Sequence, residues 1–279
     1  MKKILTAGVM LATMSGVALA ADLPSRVAPP VYAPPPIPVF TWSGAYFGIN
    51  AGYAFDHEGK YSVTQVNANG IATGQRPGAA KVSSDGFTGG GQIGYNFQLP
   101  GFGGGFGGPG SGIVFGIEAD AAYTDLNRNR SFAAPNALQF PTSTTNFRSG
   151  LDFLGTVRGR VGYAFGQFLV YGTGGFAYGG VDNRVVGLTG NTVSVSGSRD
   201  RIETGYAYGG GIEYALPTSS FLNFFKSSAV TVKAEYLHYD LGRTSIALTG
   251  AGTNPRYVAR VSNDGDLARI GLNYKFGSY

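Results

Sequence analysis

The stretch LDFLGTVRGRVGYAFG, residues 151–166, decides the fold. Read with period two, one set is Leu151, Phe153, Gly155, Val157, Gly159, Val161, Tyr163 and Phe165, without a charge. The other is Asp152, Leu154, Thr156, Arg158, Arg160, Gly162 and Ala164, with both arginines. A β-strand sends alternate side chains to opposite faces. One face of this strand is therefore apolar, and the other carries charge. Whether the charged face meets water or a closed interior separates a soluble protein from a membrane barrel.

Other segments of about ten residues share the pattern, which is the signature of strands crossing a membrane. AYFGINAGYAF sets Phe47, Ile49, Ala51, Tyr53 and Phe55 against Tyr46, Gly48, Asn50 and Gly52. GFTGGGQIGYNFQ sets Phe87, Ile93, Tyr95 and Phe97 against Gln92, Asn96 and Gln98. IVFGIEADAAY sets Ile113, Phe115, Ile117 and Tyr123 against Glu118 and Asp120. After residue 165, a two-residue turn at Gly166-Gln167 leads into FLVYGTGGFAYGG, with Phe168, Val170, Phe176 and Tyr178 outward. GYAYGGGIEY sets Tyr206, Tyr208, Ile212 and Tyr214 against Glu213. VTVKAEYLHYD sets Val232, Ala234, Tyr236 and His238 against Lys233, Glu235 and Leu237. LARIGLNYKF sets Ile270, Leu272, Tyr274 and Phe276 against Arg269, Asn273 and Lys275.

These segments predict an all-β fold, an eight-stranded antiparallel transmembrane up-and-down β-barrel. Residues 56–84, 124–150, 182–203 and 243–263 read as long polar loops at one end. The second face collects Glu118, Asp120, Arg158, Arg160, Glu213, Lys233, Glu235, Arg269 and Lys275. A Lys or Arg facing lipid at the midplane costs about 2–4 kcal/mol, whereas an eight-stranded barrel has an interior that side chains just fill. The expectation is an internal charge network, with Arg158 and Arg160 meeting Glu118 and Asp120. The alternative is a soluble barrel with its polar face outward. It would line its interior with aliphatic side chains, whereas the apolar face here is crowded with tyrosines toward the strand ends, as membrane girdles require.

The N-terminus, MKKILTAGVMLATMSGVALA, has a basic start, an apolar core and Ala18-Leu19-Ala20, and reads as a signal peptide cleaved after Ala20. Residues 21–41 follow as a periplasmic spacer with seven prolines between Pro24 and Pro38, a composition that favours extended chain. The barrel occupies 42–279. With 13% charged residues, 46 glycines and no cysteine, the chain departs from soluble composition and forms no disulfide. Its net charge of +5 comes from scattered residues without a Lys/Arg run, so nucleic acid is not an expected partner.

The set ADLP, WSGAYFGINAGY, VRGRVGYAF, VYGTGGFAYG, GGGIEYAL, KAEYLHYDLG and RIGLNYKF resembles the small outer-membrane β-barrel proteins of alphaproteobacteria, often labelled porin-family or outer-membrane immunogenic proteins. The resemblance covers the mature chain. It implies loops at the cell surface, envelope structure, surface antigenicity, lipopolysaccharide contact, porin-like activity in some members and haem binding in a few. It also implies a C-terminal aromatic read by the barrel assembly machinery. Phe276 and Tyr279 both qualify, because Gly277, Ser278 and Tyr279 extend the usual ending.

No catalytic, metal or cofactor constellation stands out. His57 lies between Asp56 and Glu58 in a loop, and His238 falls on the lipid face. GGGFGG at 103–108 matches a dinucleotide fingerprint by letters but lacks a following helix, so it reads as a turn. The expected function is a structural envelope role with possible narrow porin activity, inner glycines such as Gly94 and Gly211 leaving room. The alternative is recognition of haem, a host receptor or lipopolysaccharide through surface loops. The oligomeric state stays open.

Overall fold

The computed structural model describes residues 40–55, 59–66, 72–82, 85–101, 108, 110–134, 143–190, 192–217, 220, 223 and 230–276. The signal peptide, most of the spacer, His57, the Gly-rich turn at 102–107 and Tyr279 lie outside them. Ten strands are described: β1 (Gly44–Phe55), β2 (Gly59–Val66), β3 (Ala72–Val82), β4 (Asp85–Pro100), β5 (Gly112–Ala134), β6 (Ser143–Phe165), β7 (Phe168–Thr189), β8 (Thr192–Ala215), β9 (Val230–Gly250) and β10 (Arg256–Lys275). β1, β4, β5, β6, β7, β8, β9 and β10 pair in that order, and β1 closes on β10, making an eight-stranded ring. All pairings are antiparallel.

The faces fall as the alternation predicts. Ile49, Ile93, Ile117, Val157 and Ile270 point outward and are half exposed or more, while Glu118, Arg158 and Lys233 are buried. Aromatic residues flank this aliphatic band in two belts. The lower holds Phe47, Tyr95, Phe97, Phe165, Tyr214 and Phe276, and the upper Tyr53, Phe87, Tyr123, Phe176, Tyr206 and Tyr236. Gly166, at φ 64°, makes the two-residue turn after β6, where Phe165 pairs with Phe168. This fixes the outward register of Phe168, Val170 and Phe176.

The expected long loops are largely strand. Residues 124–134 and 143–150 continue β5 and β6, 182–189 and 192–203 continue β7 and β8, and 243–250 and 256–263 continue β9 and β10. Within 56–84, β2 pairs with β10 along Arg256–Val261, above the point where β1 leaves it, and β3 pairs with β2. β2 thus carries the wall position of β1 upward. A membrane-crossing strand needs about 9–11 residues. The 23 residues of β5 and of β6 exceed this twofold, so the wall projects well beyond the upper aromatic belt. Polar outer faces on these extensions resemble loops in composition, and that is why the sequence reading stopped at the belt.

A second correction concerns Leu151 and Asp152. Bulges in the β5–β6 and β6–β7 ladders, between Tyr123 and Leu126 and between Leu151 and Phe153, shift the pleat. Leu151 turns inward and Asp152 outward, the reverse of strict alternation. Asp152 thereby leaves an apolar interior layer for the polar surface above the upper belt.

Candidate functional site: the barrel interior

The interior is built in layers. At the end with the short Gly166 turn, Phe40–Trp42 enter the mouth. Trp42 is fully buried with Val114, Ala164, Leu169 and Tyr171. Its backbone N–H donates to Gln98 Oε1 at 2.8 Å, and its indole N–H donates to the Gly166 carbonyl at 2.8 Å. Lys275 belongs here. It was expected among the paired charges, but its ammonium donates to the Thr41 carbonyl at 2.6 Å and sits 4.8 Å from the Phe40 ring centre. Among the described residues no salt bridge joins it to a carboxylate, and the Trp42 ring centre lies 5.6 Å from its ammonium.

That next layer is the charge network. Arg158 reaches Glu118 Oε1 at 2.7 Å, Asp120 Oδ2 at 2.8 Å and Glu235 Oε1 at 3.1 Å. Its Nε donates to Thr156 Oγ1 at 2.8 Å, and Thr156 donates to Asp120 at 2.6 Å. Arg269 bridges Glu235 at 2.7 Å and Asp120 at 3.0 Å. Lys233 meets Glu118 at 2.9 Å. Arg160 pairs with Glu213 at 2.7 Å and lies 3.9 Å above the Tyr171 ring centre. These four acids and four bases are each at most 6% exposed. Equal charge and fork-shaped arginine donors let a dry site hold them, since an unpaired buried ion costs several kcal/mol.

Neutral groups complete the layer. Tyr46 donates to Glu118 at 2.7 Å, Tyr171 to Glu235 at 3.1 Å, and Asn273 to Glu213 at 2.9 Å. Gln92 donates to Asn273 and accepts from Asn50. With these, every strand of the ring contributes. The structure therefore brings together eight of the nine predicted charges and adds Tyr46 and Tyr171. Both tyrosines fit because they lie over inner glycines: a Cβ at Gly94 would collide with the Tyr46 ring, and one at Gly211 with Tyr171. The glycines expected to leave room for water thus make room for rings. The signal was present in the sequence as a Tyr on the charged face set across from Gly, but the facing partner is known only once strands are paired.

Above the charges come two apolar layers that the sequence reading did not anticipate. The first includes Leu126, Leu151, Leu154, Val181, Leu237, Leu241 and Leu267. The second includes Val63, Phe147, Val185, Val195, Ile246, Leu248 and Val261, inside the projecting wall. On the outer wall, His238 Nδ1 lies 2.9 Å from Asp266 Oδ1, its register partner. Among the described residues no group of three or more His, Cys, Asp or Glu side chains is placed to hold a metal.

A closed antiparallel ring with an aliphatic outer band, two aromatic belts and a charged, buried interior defines an integral β-barrel protein of the bacterial outer membrane. The chain belongs to the outer membrane protein β-barrel domain family, whose model matches residues 41–276. It is similar to the 31 kDa outer-membrane immunogenic protein of Brucella melitensis, 33% identical over 280 residues that cover 99% of this chain and 100% of that protein. It is also similar to the 25 kDa outer-membrane immunogenic protein of Brucella abortus, 24% identical over 99% of each chain. Among solved structures, the outer membrane protein OprG from Pseudomonas aeruginosa aligns with a TM-score of 0.47 at 15% identity, over 85% of this chain and 98% of that one.

Proposed function

We propose that the protein is a structural, non-conducting and non-catalytic barrel of the outer membrane. The observation that supports this reading is the filled interior. An aromatic plug, a charge network touching all eight ring strands and two apolar layers follow one another along the barrel axis. Water and ions would have to displace several layers at once. Catalysis is equally disfavoured by the placement of His238 on the outer wall, away from the interior carboxylates. The test is single-channel recording of the refolded mature protein in a planar bilayer, beside Arg158→Ala. Both are expected to be silent while still showing a heat-dependent gel shift. Discrete steps whose size changes with Arg158 would restore the porin reading.

A second role is supported by the projecting wall. Arg148, Arg184, Arg243 and Arg260 point outward from β6, β7, β9 and β10 above the upper belt. Arg148 and Arg184 are direct register partners, a like-charge pairing that an anion between them would relieve. We read this belt as the contact for lipopolysaccharide phosphates. Arg148→Gln with Arg184→Gln should weaken binding to lipopolysaccharide but not to its dephosphorylated form, and the difference should shrink with salt. Equal loss on both forms would rule the phosphate contact out.

Phe276 is our assignment for the aromatic that the assembly machinery engages. Its N–H donates to the Ala45 carbonyl at 2.8 Å, and its ring stacks on Phe47 with centroids 5.5 Å apart. Phe276→Ala should slow assembly in cells, while removal of residues 277–279 should not. The opposite result would assign the signal to Tyr279.

A further inference from the structure

The projecting wall is split on one side. Below, β8 and β9 are laddered up to the pair Tyr206 and Asp240; above, they meet again at Ser196 and Thr249. Between these pairs, residues 197–205 of β8 and 241–248 of β9 have no register partners in each other. Their other edges are intact there, since β8 stays paired with β7 from Gly197 to Gly205, and β9 with β10 from Arg243 to Leu248. Side chains span the split. The Arg199 guanidinium donates to the Ser245 carbonyl at 2.9 Å, and the Thr244 hydroxyl donates to Glu203 at 3.1 Å.

The sequence of β8 explains the opening. Inward positions on β6 read Phe147, Ser149, Leu151, and on β7 Val181, Asn183, Val185. Both strands thus give an apolar residue to each apolar layer and a polar residue between. The inward set of β8 between Val195 and Ala207 is Gly197, Arg199, Arg201, Glu203 and Gly205. Charges inside apolar layers are costly, so this stretch leans away from β9. All five residues are partly or fully exposed despite their inward parity, and the Arg201 side chain is 51% exposed. The layers are left without a contribution from β8 at this height. Asn183, the register partner of Arg199, is 1% exposed, and neither its side-chain nitrogen nor its side-chain oxygen has a partner among the described residues.

We infer that the split takes up an extended polypeptide strand from a protein outside the membrane, with the inward pattern apolar-x-Asn/Gln-x-apolar. Open strand edges present N–H and C=O groups at the repeat of a backbone, and the chemistry that matches such an edge is another strand. The apolar positions complete the two layers beside Val181 and Val185. The central amide supplies both the donor and the acceptor that Asn183 lacks.

The experiment uses single introduced thiols in the refolded mature protein. The probe is a peptide of residues 180–187, GVDNRVVG, which carries the inward pattern on Val181, Asn183 and Val185. An activated cysteine replaces its arginine. Each labelling rate is divided by that of a small activated disulfide. With peptide at about 0.1 mM, docking that presents the thiol at an effective concentration of about 1 mM should label Ile202→Cys and Ser245→Cys about tenfold faster than Val193→Cys elsewhere on the wall. Arg199→Leu with Glu203→Leu, which lets β8 rejoin β9, should abolish the gain while keeping the heat-dependent gel shift. Equal rates at all three thiols would overturn the site. Equal labelling by a peptide with serine at both inward valines would overturn the pattern. Disulfide-linked dimers between the Ile202→Cys and Ser245→Cys proteins without peptide would assign the split to a second copy of the chain and overturn the foreign strand.

Discussion

Arg158 is where the stability of the interior concentrates. Its guanidinium faces Glu118, Asp120 and Glu235 together, and its Nε reaches Thr156. Truncation leaves three carboxylates with fewer cations in a dry layer. Removing one partner from a buried ion pair costs about 3–5 kcal/mol, so Arg158→Ala should lower the urea midpoint of the lipid-embedded protein by that equivalent. Arg158→Lys should fall between, since a point charge cannot serve several acceptors in a fork. An unchanged midpoint in both variants would mean that the network contributes nothing net. Arg158 itself was legible in the sequence, two residues from Arg160 on a charged face. Lys275 was misjudged because alternation gives the face of a residue but not its height along the barrel. Height decides whether it meets a carboxylate or a tryptophan.

At the scale of the strand, height again separates residues of one type. Val157 on β6 and Val193 on β8 are both outward and about half exposed, at 54% and 50%. Val157 lies in the aliphatic band and Val193 in the projecting wall. Val157→Arg should cost about 2–4 kcal/mol in vesicle folding, while Val193→Arg should be close to neutral. Equal costs would place both valines in the membrane, or neither. The extensions also change the expected effect of trimming. Deleting residues 124–150 removes Leu126 and Phe147 from two apolar layers. The protein should then unfold at lower denaturant rather than tolerate the loss as a loop would. Strand content beyond the belt was hidden because an outer face in water uses the same Ser, Thr, Asn and Arg as a loop. The inward residues of these segments, such as Phe147, Val185 and Ile246, lie in runs with Arg148, Arg184 and Arg243 nearby, a mixture the sequence reading took for polar loop.

The whole molecule has a direction: an aromatic plug beside the Gly166 turn at one end, a projecting wall with an apolar core at the other. The chain has no cysteine, so single introduced thiols report topology cleanly. In intact cells, Val193→Cys should react with an impermeant maleimide, and Gln167→Cys, in the exposed turn after β6, should react only after the envelope is opened. Reversed labelling would invert the orientation. The filled interior and the outward belts also divide the molecule by task. The inside holds the wall together, and the outside meets lipid and the cell surface.

Period-two alternation by itself determined the class of fold, the face of almost every residue in the membrane band and eight of the nine charges expected in the network. These depend on one strand at a time, and the cost of charge in hydrocarbon makes each strand declare its own inside and outside. Arg158 meets Glu118 and Asp120 as the sequence reading expects, and Arg160 reaches Glu118 at 3.7 Å; the tertiary structure alone decided the further pairs with Glu213 and Glu235, where the tyrosines fit over glycines, and how far the wall rises. Those features depend on register between strands distant in sequence. A bulge at Asp152 or a glycine beneath a tyrosine changes them without disturbing the alternation of any single strand.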